Sequence, residues 1–200
     1  MPLNPPTMQS AIQAKAASQL LAGNKFPFIV SAICSATCQY ILSSAVVNSM
    51  NTVIGPGYGT QAGVIVGLVP DSMSSLILLK GQSMGIGGKD FRKLCDAVSF
   101  GVVSSMSSVT MQGSVMGGGP GIGTGTISGL IPSALESLIY QQEIFRLIHG
   151  VSMRKMISAI AFGICTHIMA ASVIITDIGT PAPPPVGPIP VVAPGIGILT

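Results

Sequence analysis

An eleven-residue pattern that occurs twice constrains this chain more than any other feature. Residues 67–77 read Gly67-Leu68-Val69-Pro70-Asp71-Ser72-Met73-Ser74-Ser75-Leu76-Ile77, and residues 129–139 read Gly129-Leu130-Ile131-Pro132-Ser133-Ala134-Leu135-Glu136-Ser137-Leu138-Ile139. The offset is 129 − 67 = 62. The same offset sets Arg92-Lys93-Leu94 on Arg154-Lys155-Met156, Ala97-Val98-Ser99-Phe100-Gly101 on Ala159-Ile160-Ala161-Phe162-Gly163, and the glycines 55, 57, 59, 63 and 67 on 117, 119, 121, 125 and 129. A weaker copy lies upstream. Ser31-Ala32-Ile33 faces Ser158-Ala159-Ile160 at an offset of 127, which puts Cys38 on Cys165 and Ile41 on Ile168. The opening Pro6-Thr7-Met8-Gln9-Ser10-Ala11-Ile12 resembles Pro132 to Leu138. The chain therefore reads as three imperfect units of about sixty residues, which bury their apolar faces by stacking on one another.

Local signals place elements within this frame. Residues 8–21 have helical apolar spacing, with Thr7 as N-cap and Gly23-Asn24 as terminator. Residues 26–48 read as a second helix, with Pro27 in its first turn. Thr52-Val53-Ile54 and Gly63-Val64-Ile65-Val66 flank a Gly-rich turn and predict a hairpin; Val115-Met116 and residues 124–128 predict another. Asp71 is the expected cap of a helix over 71–83, and Ser133 of one over 133–149; further helices are expected over 90–108 and 153–171. Val173 to Thr176 is a strand candidate. The fold class is thus α+β, mainly helical, each unit being a helix pair followed by a Gly-rich hairpin or extended segment. The divisions are a Pro-rich arm (1–7), units at 8–68, 69–130 and 131–180, and an apolar Pro/Gly-rich arm (181–200) expected to lie along a neighbour.

Composition narrows the function. Only 8 % of the residues are charged, against 48 % hydrophobic, where an ordinary soluble domain carries roughly 25 % charged. Such a surface needs cover, from other protein copies or from lipid. The net charge of +3 and the absence of a polybasic run with aromatic platforms give no reason to expect a nucleic-acid partner. Lys89-Asp90-Phe91-Arg92-Lys93 and Arg154-Lys155 read as solvated helix starts or inter-unit ion pairs; a phosphate or lipid-headgroup site is the sharper reading. The opening residues hold no basic segment followed by an apolar core, so a signal peptide is not expected.

No stretch carries a reaction. The run Gly117 to Gly125 lacks the Lys-Ser/Thr ending of a phosphate loop and the βαβ frame of a dinucleotide fingerprint. Cys34 and Cys38 share a helix face, and with Cys165 and His167 could ligate a metal. In the repeat Cys34 aligns with Ser99 and Ala161, and Cys95 with Ile157, which is core behaviour, so no metal is expected. His149 and His167 have neither an acid nor a nucleophile at a telling spacing. The expectation is no catalytic residue, no cofactor and no small-molecule substrate. The candidate contact residues are Val53, Ile54, Val64, Ile65, Val115 and Ile127 on the hairpins, with Pro183, Pro184, Ile196 and Ile198 on the tail.

The Met1-Pro2-Leu3-Asn4-Pro5-Pro6 opening, the paired helices and the hairpins ending Gly123-Thr124-Gly125-Thr126-Ile127-Ser128-Gly129 resemble the small Gly-rich repeat-containing virion structural proteins of contractile-tailed bacteriophages. That resemblance implies a non-enzymatic structural subunit of a tail, baseplate or neck, assembled in the host cytoplasm, with partners that are copies of itself and other virion proteins. The alternative is a small integral membrane protein spanning at 26–48, 94–112 and 156–176, supported by a mean hydropathy of +0.69. Sparse flanking charge and the absence of an aromatic belt weigh against it.

Overall fold

A computed structural model describes residues 3–53, 59–116, 122–145, 151–177 and 191–199. The elements are α1 (Pro5–Ser18), α2 (Phe26–Ser44), β1 (Val46–Val53), β2 (Gly59–Val66), α3 (Pro70–Ser83), α4 (Lys89–Ser107), β3 (Thr110–Met116), β4 (Ile122–Ser128), α5 (Pro132–Phe145), α6 (Val151–Met169), β5 (Ser172–Asp177) and β6 (Val191–Leu199). The fold is mainly helical α+β, as expected. The order helix, helix, strand, strand occurs three times, each time with a helix of 14 residues before one of 19.

The short and long helices differ because their apolar residues are spaced differently. Each short helix carries a stripe at i, i+4: Met8 and Ile12, Met73 and Ile77, Leu135 and Ile139, all fully buried. The long helices are apolar on most sides and bury nine, eleven and ten of their nineteen residues. Every helix packs on the ones before and after it, and α1 packs on α6, so the six form a closed ring. Small residues at the crossings let helices approach. A Cβ on Gly101 would come 2.5 Å from Ile139 Cγ1, and one on Gly163 would strike Ile12.

The six strands form one curled antiparallel sheet in chain order, and β1 also pairs with β6, closing a barrel. Two hairpins are regular: Val46 pairs with Val66, and Thr110 with Ser128. Inward and outward residues alternate. Val47, Ile65, Met111, Ile127 and Val173 are buried, while Val64, Val66, Gln112, Thr126 and Ile174 are exposed. Gly125 leaves room for the Met111 sulfur inside the barrel. Short helices lead away from the barrel and long helices return to it, so the helix–helix turns gather at the far end.

Several expected boundaries are corrected. The caps are not Thr7, Asp71 and Ser133, because the helices start earlier, at Pro5, Pro70 and Pro132. Proline's fixed φ suits the first helical position, and its missing N–H is one the helix leaves unbonded anyway. The N-cap residues are therefore Asn4 and Val69, and Ile131 C=O accepts from the N–H of Leu135 as Asn4 C=O does from Met8 and Val69 C=O from Met73. Helix α2 stops at Ser44 rather than 48: Ala45 turns to extended geometry and the β-branched Val46-Val47 enter the barrel. The segment 94–112 divides between α4 and β3, and 156–176 between α6 and β5. Residues 191–199 form β6 along the chain's own β1 and β5, since the third hairpin needs a returning strand. Pro194 falls past the end of β5, where β6 has a partner only on the β1 side.

Candidate functional site

The site expected to carry function is an interaction surface. The candidate contact residues fall into three groups. Ile65 and Ile127 lie inside the barrel, 3 % and 4 % exposed, and the chain already covers them. Val64 is on the outer face, 47 % exposed. Val53, Val115, Ile196 and Ile198 are paired strand residues: Val53 with Gly59 and Val191, Val115 with Gly59 and Gly123, Ile196 with Asn48 and Thr176, Ile198 with Ile174. Ile54, Pro183, Pro184 and His149 lie outside the described residues.

An apolar belt that the sequence reading missed surrounds the helix–barrel junction. Leu42 and Met169 at the ends of α2 and α6, Val64 and Val66 on β2, Val69 and Ile131 before α3 and α5, and Ile174 on β5 are all exposed. No Lys or Arg occurs in the strands or in the first turns of α1, α3 and α5. Asp71, in the first turn of α3, is a charged residue at this end.

The opposite end is basic. Eight of the nine Lys and Arg lie among the described residues, and all eight occupy the helix–helix turns or the adjoining helix ends: Lys15, Lys25, Lys80, Lys89, Arg92, Lys93, Arg154 and Lys155. Asp90 forms a 3.6 Å ion pair with Lys93 there, and Glu136 faces a cleft shared with Arg154 and Lys155. Lys15 stands over the Phe162 ring and Arg154 over that of Tyr140. The Lys155 ammonium donates to Gln19 C=O at 2.9 Å, and Gln19 Nε2 to Ser158 Oγ, tying α1 to α6. Gln19, Glu136 and Tyr140 of α5, and Arg154, Lys155 and Ser158 of α6 enclose an open cleft of about 550 Å³. Each basic cluster is separate in sequence, so the topology had to be known before they could be seen as one face.

Buried polar groups do structural work. Tyr40 on α2 accepts from Val69 N–H at 2.8 Å and donates to Val69 C=O at 3.1 Å, while His167 on α6 accepts from Asn4 N–H. Ser105 lies at the corresponding place on α4, and its short hydroxyl has no partner. Ser74 donates to Asp96, joining α3 to α4.

The cysteines are buried and unpaired with one another. Burial pushes the thiols of Cys38 and Cys165 up to about 11 and that of Cys95 to about 12; Cys34 rises further, with Cys38 adding to the effect of burial. Such thiols stay protonated and make poor ligands or nucleophiles at neutral pH. Among the described residues no group of three His, Cys, Asp or Glu is placed to hold a metal. The glycine run before β4 leads into a strand, not into a helix N-terminus, so the frame of a phosphate loop is missing. One described helix, Phe26–Ser44, is long and apolar enough to cross a membrane, and half of it is buried inside the protein.

Compared with known proteins, the chain matches no protein-family model, no curated protein and no solved structure.

Proposed function

We propose that the chain is a non-enzymatic structural subunit of a large assembly, a bacteriophage virion component of the tail, baseplate or neck type, built from three copies of one unit of about sixty residues. The copies run from α1 to β2, from α3 to β4 and from α5 to β6. The observation that carries the assembly reading is the belt. Leu42, Val64, Val66, Val69, Ile131, Met169 and Ile174 put exposed apolar side chains on the elements around the helix–barrel junction, and exposed apolar ground marks protein contacts. The threefold element order supports the repeat reading. So do the fully buried sets Met8, Met73 and Leu135; Ile33, Val98 and Ile160; Val47, Met111 and Val173. The phage assignment rests on the sequence resemblance alone.

In this reading the helical ring and the barrel form a rigid body, and neighbouring subunits seat on the belt. Sedimentation velocity of the purified chain tests it. Assemblies are expected for the wild type, and Val69→Ser with Ile131→Ser should shift them towards single chains without loss of helix content. A monodisperse single chain at high concentration would overturn the reading. The alternative membrane-spanning reading is favoured by one observation, the length and apolarity of Phe26–Ser44. Retention in the membrane fraction after carbonate washing would favour it instead.

A further inference from the structure

Leu20 is an anomaly at the end of α1. Its φ is 56°, in the left-handed region, and its side chain is 90 % exposed. The turn is a helix C-terminal motif in which Leu20 N–H reaches Ala17 C=O and Leu21 N–H reaches Ala16 C=O. At the end of α3 the same two bonds recur, from Gly85 to Gln82 and from Ile86 to Gly81, with glycine at the left-handed position. Glycine takes that backbone without strain, and leucine does not. The chain therefore holds a large apolar side chain in a strained conformation and turns it into water, where no described residue covers it. Backbone strain retained at one position is a pointer to function.

The surroundings of Leu20 say what would cover it. Phe28 and Val151 are exposed at the same end, 52 % and 77 %. Leu21, Phe26, Ile29, Met153 and Met156 line an open apolar groove beside them. Lys25 lines the same groove, Arg154 is exposed in the first turn of α6, and Lys89 and Arg92 are exposed at the α3–α4 turn of the same end. We propose that the helix-turn end of the molecule docks on an anionic lipid bilayer, with Leu20, Phe28 and Val151 entering the interface and the basic ring facing headgroup phosphates. Aliphatic and aromatic side chains fringed by cations are the chemistry of interfacial binding, and each Lys or Arg near an anionic surface adds about fivefold to partitioning. Duplex DNA offers the phosphates but nothing for three exposed apolar side chains; a zwitterionic bilayer offers the apolar layer but no field for the cations. The barrel end, whose described strands carry no Lys or Arg, faces away. This inference does not depend on the assembly reading, which concerns the belt.

Vesicle co-sedimentation of the full chain tests it. Binding is expected to vesicles containing phosphatidylglycerol and not to phosphatidylcholine alone, and to weaken as salt rises from about 0.1 M to about 1 M. The variant Lys25→Gln, Lys89→Gln, Arg92→Gln should bind about a hundredfold more weakly. Leu20→Gly separates docking from folding: its thermal midpoint should rise, because strain is relieved, while vesicle binding falls about tenfold. Equal binding to both vesicle types, no binding, unchanged binding by Leu20→Gly, or tighter binding to a DNA duplex than to anionic vesicles would each overturn the proposal.

Discussion

The imidazole Nε2 of His167, on the last turn of α6, accepts a hydrogen bond of 2.8 Å from the backbone N–H of Asn4, 163 residues earlier. Because Nε2 accepts, the neutral ring carries its proton on Nδ1. The bond fastens the start of α1 to the end of α6, one of the two places where the chain's ends meet; the other is the β1–β6 pairing. No short connection joins α1 to α6, so this seam is held by packing and hydrogen bonds.

Stability should therefore fall in acid. Burial holds the His167 pKa below its ordinary value of 6.5. As pH drops below that value the unfolded chain takes up the proton first, so the unfolded state binds more protons and is favoured. The contribution is whole above about pH 6.5 and is lost as pH falls towards the depressed folded value. Thermal unfolding followed by circular dichroism from neutral to acid pH should show the decline, and His167→Gln, which keeps an acceptor that does not titrate, should flatten it in that window. Unchanged pH dependence in the variant would remove His167 as the cause. His167→Ala, which leaves the Asn4 N–H without its partner, should cost about 2 kcal/mol.

Ser105 gives the complementary prediction. Tyr40 and His167 each reach across to the backbone before a short helix, but the Ser105 hydroxyl is buried without a hydrogen-bond partner. Thr37 Oγ1 and Ser99 Oγ are in the same condition. Removing a buried hydroxyl that bonds to nothing removes a desolvation cost, so Ser105→Ala and Thr37→Val should be neutral or stabilising by up to about 1 kcal/mol. Chemical denaturation with unchanged m-values is the measurement. A clear loss of stability in both would mean that these hydroxyls have partners.

Much of the fold was legible because the repeated residues are core residues. The offset of 62 sets Ala97 and Val98 on Ala159 and Ile160, all buried in α4 and α6, and the offset of 127 sets Ile41 on Ile168, both buried. The first short helix was misread by one residue. Pro6 looked like the partner of Pro132, whereas Pro5 begins α1, and buried Leu3 then corresponds to buried Leu130. In sequence, Pro2-Leu3-Asn4-Pro5 then lines up with Gly129-Leu130-Ile131-Pro132, with proline where the glycine stands. Barrel closure was hidden because β5 and β6 are separated by 13 residues, against five between β3 and β4. The basic face was hidden for a different reason. Lys25, Lys89 and Arg154 are far apart in sequence, and only the up-and-back course of the helices collects them.

The cysteines should be chemically silent in the folded chain. All four are at most 1 % exposed, and burial raises every thiol above its ordinary pKa of 9.0. Reaction with a thiol-specific disulfide reagent at neutral pH should label none of them on the timescale on which the denatured protein gives four equivalents. Rapid labelling of Cys38 or Cys165 in native conditions would show that the α2 or α6 crossing opens readily.

The helix crossings yield the last prediction. On Gly163 an added Cβ would strike Ile12 Cγ1 and come within 3.0 Å of the Ile12 amide nitrogen and 3.2 Å of its Cα. Side chains can rotate away, but the α1 backbone cannot move without disturbing the seam that His167 holds. On Gly101 the nearest atoms are Ile139 Cγ1 at 2.5 Å and Leu135 Cδ1 at 3.2 Å, with backbone no closer than 3.4 Å. The helix interior itself prefers alanine over glycine by about 1 kcal/mol. Overpacking of a tight core costs about 1–3 kcal/mol. The overpacking term should prevail at Gly163, where backbone is struck, and be roughly cancelled at Gly101, where two flexible side chains absorb it. Gly163→Ala is thus expected to lower the urea midpoint and Gly101→Ala to leave it nearly unchanged. The reverse order would mean that α1 yields at the seam more easily than Leu135 and Ile139 repack.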